Sequence, residues 1–262
     1  MILAVDVGNS NTTVGLFNGT GELLFRALLE TSRSKTRDQC AIELLGVFQL
    51  YGADACTVDG AILSSVVPPL TTIFTDAIAR LTGIPPMVVG PGIRTGLNIK
   101  AEIHNQLGSD IVASSVAAIA KYPSPIVMVD MGTATSLSLI VGSVYEGCII
   151  MPGLALALDA LSERAAALPP ISIETASPVG LMGHTTEEAM RSGVLYGHAS
   201  MVDGMLERIE ESIGQSVTAV ATGGNAPRIL RYCKRPIQYD ADLIMTGLYL
   251  LYQKNAKKYR KA

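Results

Sequence analysis

The chain has 262 residues, 48% of them hydrophobic and 16% charged, with no tryptophan and a net charge of −3. That length makes one large domain or two small ones with a substantial core, and so apolar a composition suits an α/β fold with buried parallel strands. The charge balance excludes nucleic-acid binding by bulk electrostatics, and no run approaches the ~20 apolar residues of a membrane span.

Residues 2–7, 12–17 and 22–29 read as strands, the last two joined by a hairpin through Asn18-Gly19 and Gly21. Residues 36–51 carry an amphipathic helical pattern, 60–66 a buried strand, and Pro68-Pro69 opens a helix through about Leu81. A short strand follows at 86–89, then a small-residue helix at 108–121, placed as a hinge between two halves. The plan then repeats: strands near 125–130, 135–141 and 144–150, a helix at 153–166, a long helix at 186–213, a strand at 217–221 and helices at 226–232 and 242–257. An antiparallel start followed by β-α-β alternation predicts mixed sheets flanked by helices. The expected division is 1–115 and 116–262, and the last helix has the option of packing back on the first half.

The four cysteines (Cys40, Cys56, Cys148 and Cys233) are far apart and form no CxxC pair, so they read as reduced thiols. Met1 to Val5 has no basic segment and Asp6 follows at once, so no secretory leader is expected. The basic tail, 254–261, reads as a solvated helix end, and the expectation is a cytoplasmic protein with neither nucleic acid nor membrane as partner. Three scattered histidines (His104, His184, His198) give no triad spacing for Ser-His-Asp hydrolysis.

The chemistry concentrates in a repeated turn. Val-Asp-Val-Gly-Asn-Ser at 5–10 and Val-Asp-Met-Gly-Thr-Ala-Thr at 129–135 each join two β-rich runs, with their aspartates 124 positions apart (130 minus 6). Two such units predict two related halves facing a common cleft. An aspartate at a strand end holds a cation or water, glycine lets the backbone approach an anion, and small polar residues with backbone N–H groups line a phosphate pocket. Asp6, Val7, Gly8, Asn9, Ser10, Asn11, Thr12 and Thr13 form the first candidate cradle, with Asp6 near a cation; Thr133 and Asp130 are the counterparts in the second. Gly108-Ser109-Asp110 opens the hinge helix, where Ser109 or Asp110 serves as an N-cap, or Asp110 serves as general base to a substrate hydroxyl, kept ionised by the helix dipole. Thr222-Gly223-Gly224-Asn225 lies between strand and helix, and Gly223 and Gly224 permit close approach of a nucleotide.

The duplicated turn resembles that of the superfamily of acetate and sugar kinases, heat-shock chaperone ATPases and actin. Within it, the chain is similar over nearly its whole length to the type III pantothenate kinases. The stretches that carry the likeness are DVGNSNT (6–12), LGSD (107–110), DMGTATS (130–136), EGCIIMPGL (146–154), AALPP (166–170), TEEAMRSGVLYG (186–197) and ATGGNA (221–226). The resemblance implies two ribonuclease-H-like halves with mixed five-stranded sheets, an actin-like duplication and a homodimer. It implies ATP-dependent phosphorylation of pantothenate, the first step of coenzyme A synthesis. Residues 6–13 and Thr133 would hold ATP phosphates, Asp110 would accept the proton, and Gly108, Ser109, Asp110, Ile111 and Thr186 would meet pantothenate. Asp130 would bind a monovalent cation, K⁺ or NH₄⁺, and Mg²⁺ would accompany ATP, with Asp6 as its candidate ligand.

Three positions depart from the family pattern. Ile111 stands where the G-x-D-R motif has arginine, Ala101 where tyrosine is usual and His104 where proline is expected. Losing a charged hydrogen bond costs about 1.5–3 kcal/mol, roughly ten- to a hundredfold in affinity. Lys100 is one candidate for the missing charge. A kinase for another small hydroxylated acceptor, and a nucleotide-binding paralogue with a regulatory role, are the alternatives these departures open.

Overall fold

In the computed structural model, which describes residues 1–99, 107–173 and 179–259, the chain forms two units, Met1–Ala120 with Asp242–Ala262, and Lys121–Ala241. Lys100, Ala101 and His104 lie outside the described residues.

The first unit holds β1 (Ile2–Val7), β2 (Asn11–Phe17), β3 (Leu23–Glu30), α1 (Arg37–Leu50), β4 (Gly60–Ser65), α2 (Pro68–Thr82), β5 (Met87–Val88), β6 (Asn98–Ile99) and α3 (Ser109–Lys121). Its sheet runs β3-β2-β1-β4-β5, antiparallel from β1 through β3 and parallel from β1 through β5. Side chains alternate across a strand, and β1 is buried on both faces. Leu3, Val5 and Val7 face the core under α1 and α2, with Leu44, Phe48, Leu70 and Phe74. Ile2 and Ala4 face the other way, and Asp6 ends that second row. Thr36 starts α1 with a capping box shared with Gln39.

The second unit holds β7 (Ile126–Met131), β8 (Ala134–Val141), β9 (Val144–Pro152), α4 (Leu154–Arg164), α5 (Thr186–Ile213), β10 (Thr218–Thr222), α6 (Ala226–Leu230) and β11 (Gln238–Tyr239). Within it the strands run β9-β8-β7-β10-β11, the same order and directions as in the first. Val127, Val129 and Met131 pack under α4 and α5 with Leu158, Val194 and Leu206. Ile126 and Met128 face the other way, and Asp130 ends their row.

The last helix, α7 (Leu243–Tyr259), belongs to the first unit, whereas the expected division assigned 242–262 to the second half. The reason is a sheet that needs cover on both faces. α1 and α2 cover one; Met245, Leu248, Leu251 and Tyr252 of α7 lie on the other, against Ile2, Ala4 and Ile62. Ala113 of α3 joins them, and small residues (Ala113, Ser114, Ala117, Ala118) line that helix's buried positions. Gly247 of α7 sits so close that a Cβ there would overlap the Ala113 backbone.

Helix propensity favours Gly→Ala by about 0.5–1 kcal/mol in mid-helix. Gly247→Ala reverses that sign, because overpacking costs about 1–3 kcal/mol. Gly204→Ala in α5, where an added Cβ meets nothing within 4 Å, is the stabilising control. Urea unfolding of the two variants checks the opposite signs.

Candidate active site

Asp6 and Asp130 occupy the same place in their units. Each stands where a buried central strand runs out of helix cover, and each has a hydroxyl residue beside it on both neighbouring strands. Asp6 pairs in register with Thr13 of β2 and Ser64 of β4; Asp130 pairs with Ser136 of β8 and Thr222 of β10. Residues directly opposed in a sheet share a face, so each carboxylate lies in a row of hydroxyls. The backbone repeats too. The Val66 N–H donates to the Val7 carbonyl at 3.0 Å, and the Asn225 N–H to the Met131 carbonyl at 3.1 Å. Both following helices carry proline in their first two positions, Pro68 and Pro69 in α2 and Pro227 in α6.

The first turn closes by a 3.0 Å bond from the Gly8 N–H to the Asn11 carbonyl. A Cβ on Gly8 would lie 2.9 Å from that carbonyl oxygen, so the turn excludes a side chain there. Asn9, Ser10 and Asn11 are exposed and Thr13 is half-buried. Two residues of the stretch point elsewhere: Val7 is a core residue, and the Thr12 hydroxyl, 1% exposed, is 2.8 Å from that of Thr31. Arg33 adds a contact not anticipated from sequence, donating from Nη2 to Asn9 Oδ1 at 3.5 Å.

The second turn is one residue tighter, with the Gly132 N–H bonded to the Ala134 carbonyl at 3.0 Å. Thr133 is exposed. Gly153 backs this turn so closely that a Cβ would overlap the carbonyls of Gly132 and Thr133. Gly223, at φ +92°, does so from β10: its Cβ position lies 2.7 Å from both Asp130 Oδ1 and the Met131 carbonyl oxygen. Gly223 is thus required by the protein's own backbone, whereas Gly224 faces open space. Below the turn, Thr135 Oγ1 lies 2.8 Å from Nε2 of buried His198 on α5. Burial lowers the His198 pKa by disfavouring the charged imidazolium.

Asp110 reaches the first unit's strand ends through Ser109. The Ser109 hydroxyl lies 2.9 Å from that of Ser64, accepts the Ser65 N–H at 3.1 Å and lies 3.2 Å from the Ser65 carbonyl. The hydroxyl therefore clamps α3 to β4, a role different from the expected N-cap. Because Ser64 is the register partner of Asp6, the clamp brings the start of α3 beside the first turn. Asp110 Oδ1 accepts the Ile111 N–H at 2.8 Å and lies over Gly108, where a Cβ would overlap it. Burial raises the Asp110 pKa, partly offset by backbone hydrogen bonds. Desolvation thus outweighs those hydrogen bonds, and the carboxyl moves toward the range useful for a base. Ile111 is half-buried; Thr186 is the exposed first residue of α5, with Thr185 as its cap.

Ser64 and Ser65 were read from sequence only as a strand end. The available signal was an apolar strand closing on hydroxyls before a helix with proline in its first two positions, a pattern that Thr222 before α6 shares with one hydroxyl.

The family model described as type III pantothenate kinase matches residues 2–208. The chain belongs to the type III pantothenate kinase family. Relatives carrying that name from Exiguobacterium and Geobacillus thermodenitrificans are each 39% identical, covering 98% of this chain and 100% and 99% of theirs. The fold matches an activator of 2-hydroxyisocaproyl-CoA dehydratase from Clostridium difficile with bound ADPNP (TM-score 0.58, 10% identity, 100% and 98% coverage). It also matches a ROK family glucokinase from Streptomyces griseus (TM-score 0.55, 12% identity, 96% and 99% coverage). This is the actin-like ATPase fold. No helix among the described residues is long and apolar enough to cross a membrane.

A base works only when ionised, so a base role for Asp110 predicts that activity falls as pH drops through its pKa. Since that pKa is raised, the acid limb of kcat/KM lies above the ~3.9 of a free aspartate. A pH–rate profile checks this.

Proposed function

We propose that the chain transfers the terminal phosphoryl group of ATP to pantothenate, opening coenzyme A synthesis. Family membership supports the activity, and the Ser64–Ser109 clamp is the observation that carries the site. The acceptor hydroxyl oxygen attacks the terminal phosphorus and forms a new P–O bond. The bond from that phosphorus to its bridging oxygen breaks, and ADP leaves with the electron pair. The hydroxyl proton passes to Asp110. In the first unit the turn at 6–13, through Gly8, Asn9, Ser10, Asn11 and Thr13, is the phosphate contact; in the second unit Thr133 has that role and Gly224 is the open glycine. Gly108, Ser109 and Ile111 are the first unit's candidate acceptor contacts, and Thr186 is the second unit's.

Mg²⁺ usually takes one or two carboxylates besides phosphate and water, which a single Asp6 fits; among the described residues no three His, Cys, Asp or Glu side chains converge on a metal position. Asp130 is the residue that would hold a monovalent cation, K⁺ or NH₄⁺, through its carboxylate oxygens. When bound, such cations neutralise phosphate charge. We assign the protein to the cytoplasm as a homodimer; exposed Ile150, Leu156, Leu161, Leu181 and Met182 support a covered apolar face.

ADP release from ATP, with and without pantothenate, in magnesium and potassium, ammonium or sodium buffer, tests the reading. Pantothenate-dependent release that is faster in potassium or ammonium is expected, and Asp110→Asn abolishes it while ATP binding persists. ATP binding without pantothenate-dependent turnover would contradict the acceptor assignment.

Ile111 favours a weak acceptor site or a different acceptor, because a carboxylate ligand prefers a cation at that position. Ile111→Arg is expected to lower the KM for pantothenate roughly ten- to a hundredfold. Initial rates against pantothenate concentration check it.

A further inference from the structure

A transferring phosphoryl group carries negative charge that donors and cations must hold. The first turn itself offers only hydroxyls, amides and backbone N–H groups beside an aspartate. The segment between β3 and α1 supplies a cation to it.

Three contacts tie that segment to the turn. The Thr31 N–H donates to the Ser10 carbonyl at 3.0 Å, the Thr31 and Thr12 hydroxyls meet at 2.8 Å, and Arg33 Nη2 donates to Asn9 Oδ1 at 3.5 Å. Its far end is anchored as well. Lys35 Nζ donates to the Glu30 carbonyl at 2.5 Å and pairs with Glu43 at 2.9 Å, just before the Thr36 capping box. Arg33 and Ser34 are the exposed residues between these anchors, and Arg33 is the charged one.

Its surroundings differ from those of five other arginines, although Arg228 likewise touches an amide, that of Asn225 at 3.2 Å. Arg26, Arg37, Arg80, Arg191 and Arg235 each hold a carboxylate. Arg33 instead touches the neutral amide of Asn9, and no acidic side chain pairs with it among the described residues. Its charge is therefore left for a ligand. A planar guanidinium also matches phosphate oxygens two at a time, which a lysine ammonium does not.

We propose that Arg33 is a phosphate ligand of this kinase, contacting the phosphate chain of the bound nucleoside triphosphate from the segment between β3 and α1. This rests on the first turn being the nucleotide-phosphate site. Arg33 keeps its protons and makes no covalent bond; it stabilises charge on the phosphate oxygens. Asn9 holds the guanidinium in place.

The test is calorimetric titration of magnesium with AMPPNP, and separately of adenosine, into the wild type, Arg33→Ala and Arg33→Lys, followed by steady-state rates. Arg33→Ala is expected to weaken AMPPNP binding roughly ten- to a hundredfold, to leave adenosine binding unchanged, and to raise the KM for ATP or lower kcat. The KM for pantothenate stays constant, and Arg33→Lys recovers part of the loss. Wild-type AMPPNP affinity and turnover in Arg33→Ala would overturn the proposal, as would equal loss of adenosine and AMPPNP binding. If the wild type binds AMPPNP but does not phosphorylate pantothenate, the acceptor reading fails and the titrations still decide Arg33. If the wild type binds no AMPPNP, both fail.

Discussion

An aspartate is carried to the end of a buried central strand, and this placement organises each unit. Asp6 is 8% exposed. Burying a carboxylate is costly unless polar groups surround it. The register sets a hydroxyl residue on each side of it, Thr13 on one strand and Ser64 on the other. The same solution recurs at Asp130 with Ser136 and Thr222. Once the polar row is fixed there, the apolar rows of the strands must be covered below it, and the helices follow. The turn above it, free of side-chain bulk at Gly8 and Gly132, is where an anion can approach.

The catalytic proposal hangs on what Ser64 does next. Its hydroxyl meets Ser109, and that contact brings a separate helix, with Asp110 one residue on, to the polar row. Gly108 leaves space for the Asp110 carboxylate, and burial raises its pKa. A carboxylate prepared in this way costs folding stability and suits proton acceptance. The departure at Ile111 sits one residue further along. Its backbone still serves Asp110 through the N–H, so the side chain changed while the support for the base persisted. On the proposed reading, the missing charge at 111 bears on acceptor affinity and leaves Asp110 in place.

Much of this was legible in the sequence because local rules dominated. The Thr36 cap, the proline before α2 and the Gly214 end of α5 mark their helices directly. The repeat of Asp-x-Gly after apolar runs announced the duplication, which the strand orders reproduce. Long-range contacts were less legible. The two-residue strands β5, β6 and β11 carry little periodicity, and β6 and β11 were not anticipated. The placement of α7 depends on which sheet face lacks cover. Thr12 and Thr13 look alike in a hydroxyl-rich run, yet strand alternation sends one to Thr31 and the other to the Asp6 row. Gly223 looked like a nucleotide-facing glycine, but its backbone is pressed against Met131 and Asp130. Ser64 and Arg33 gain meaning only from partners 45 and 24 positions away.

The central claim is that the Ser64–Ser109 contact holds Asp110 in its working position. A double-mutant cycle on kcat with pantothenate, using Ser64→Ala, Ser109→Ala and the pair, measures that contact directly. The account predicts that the double variant is hardly slower than the worse single one, with nucleotide binding unchanged in all three. Losses that multiply, as for two independent sites, would contradict it.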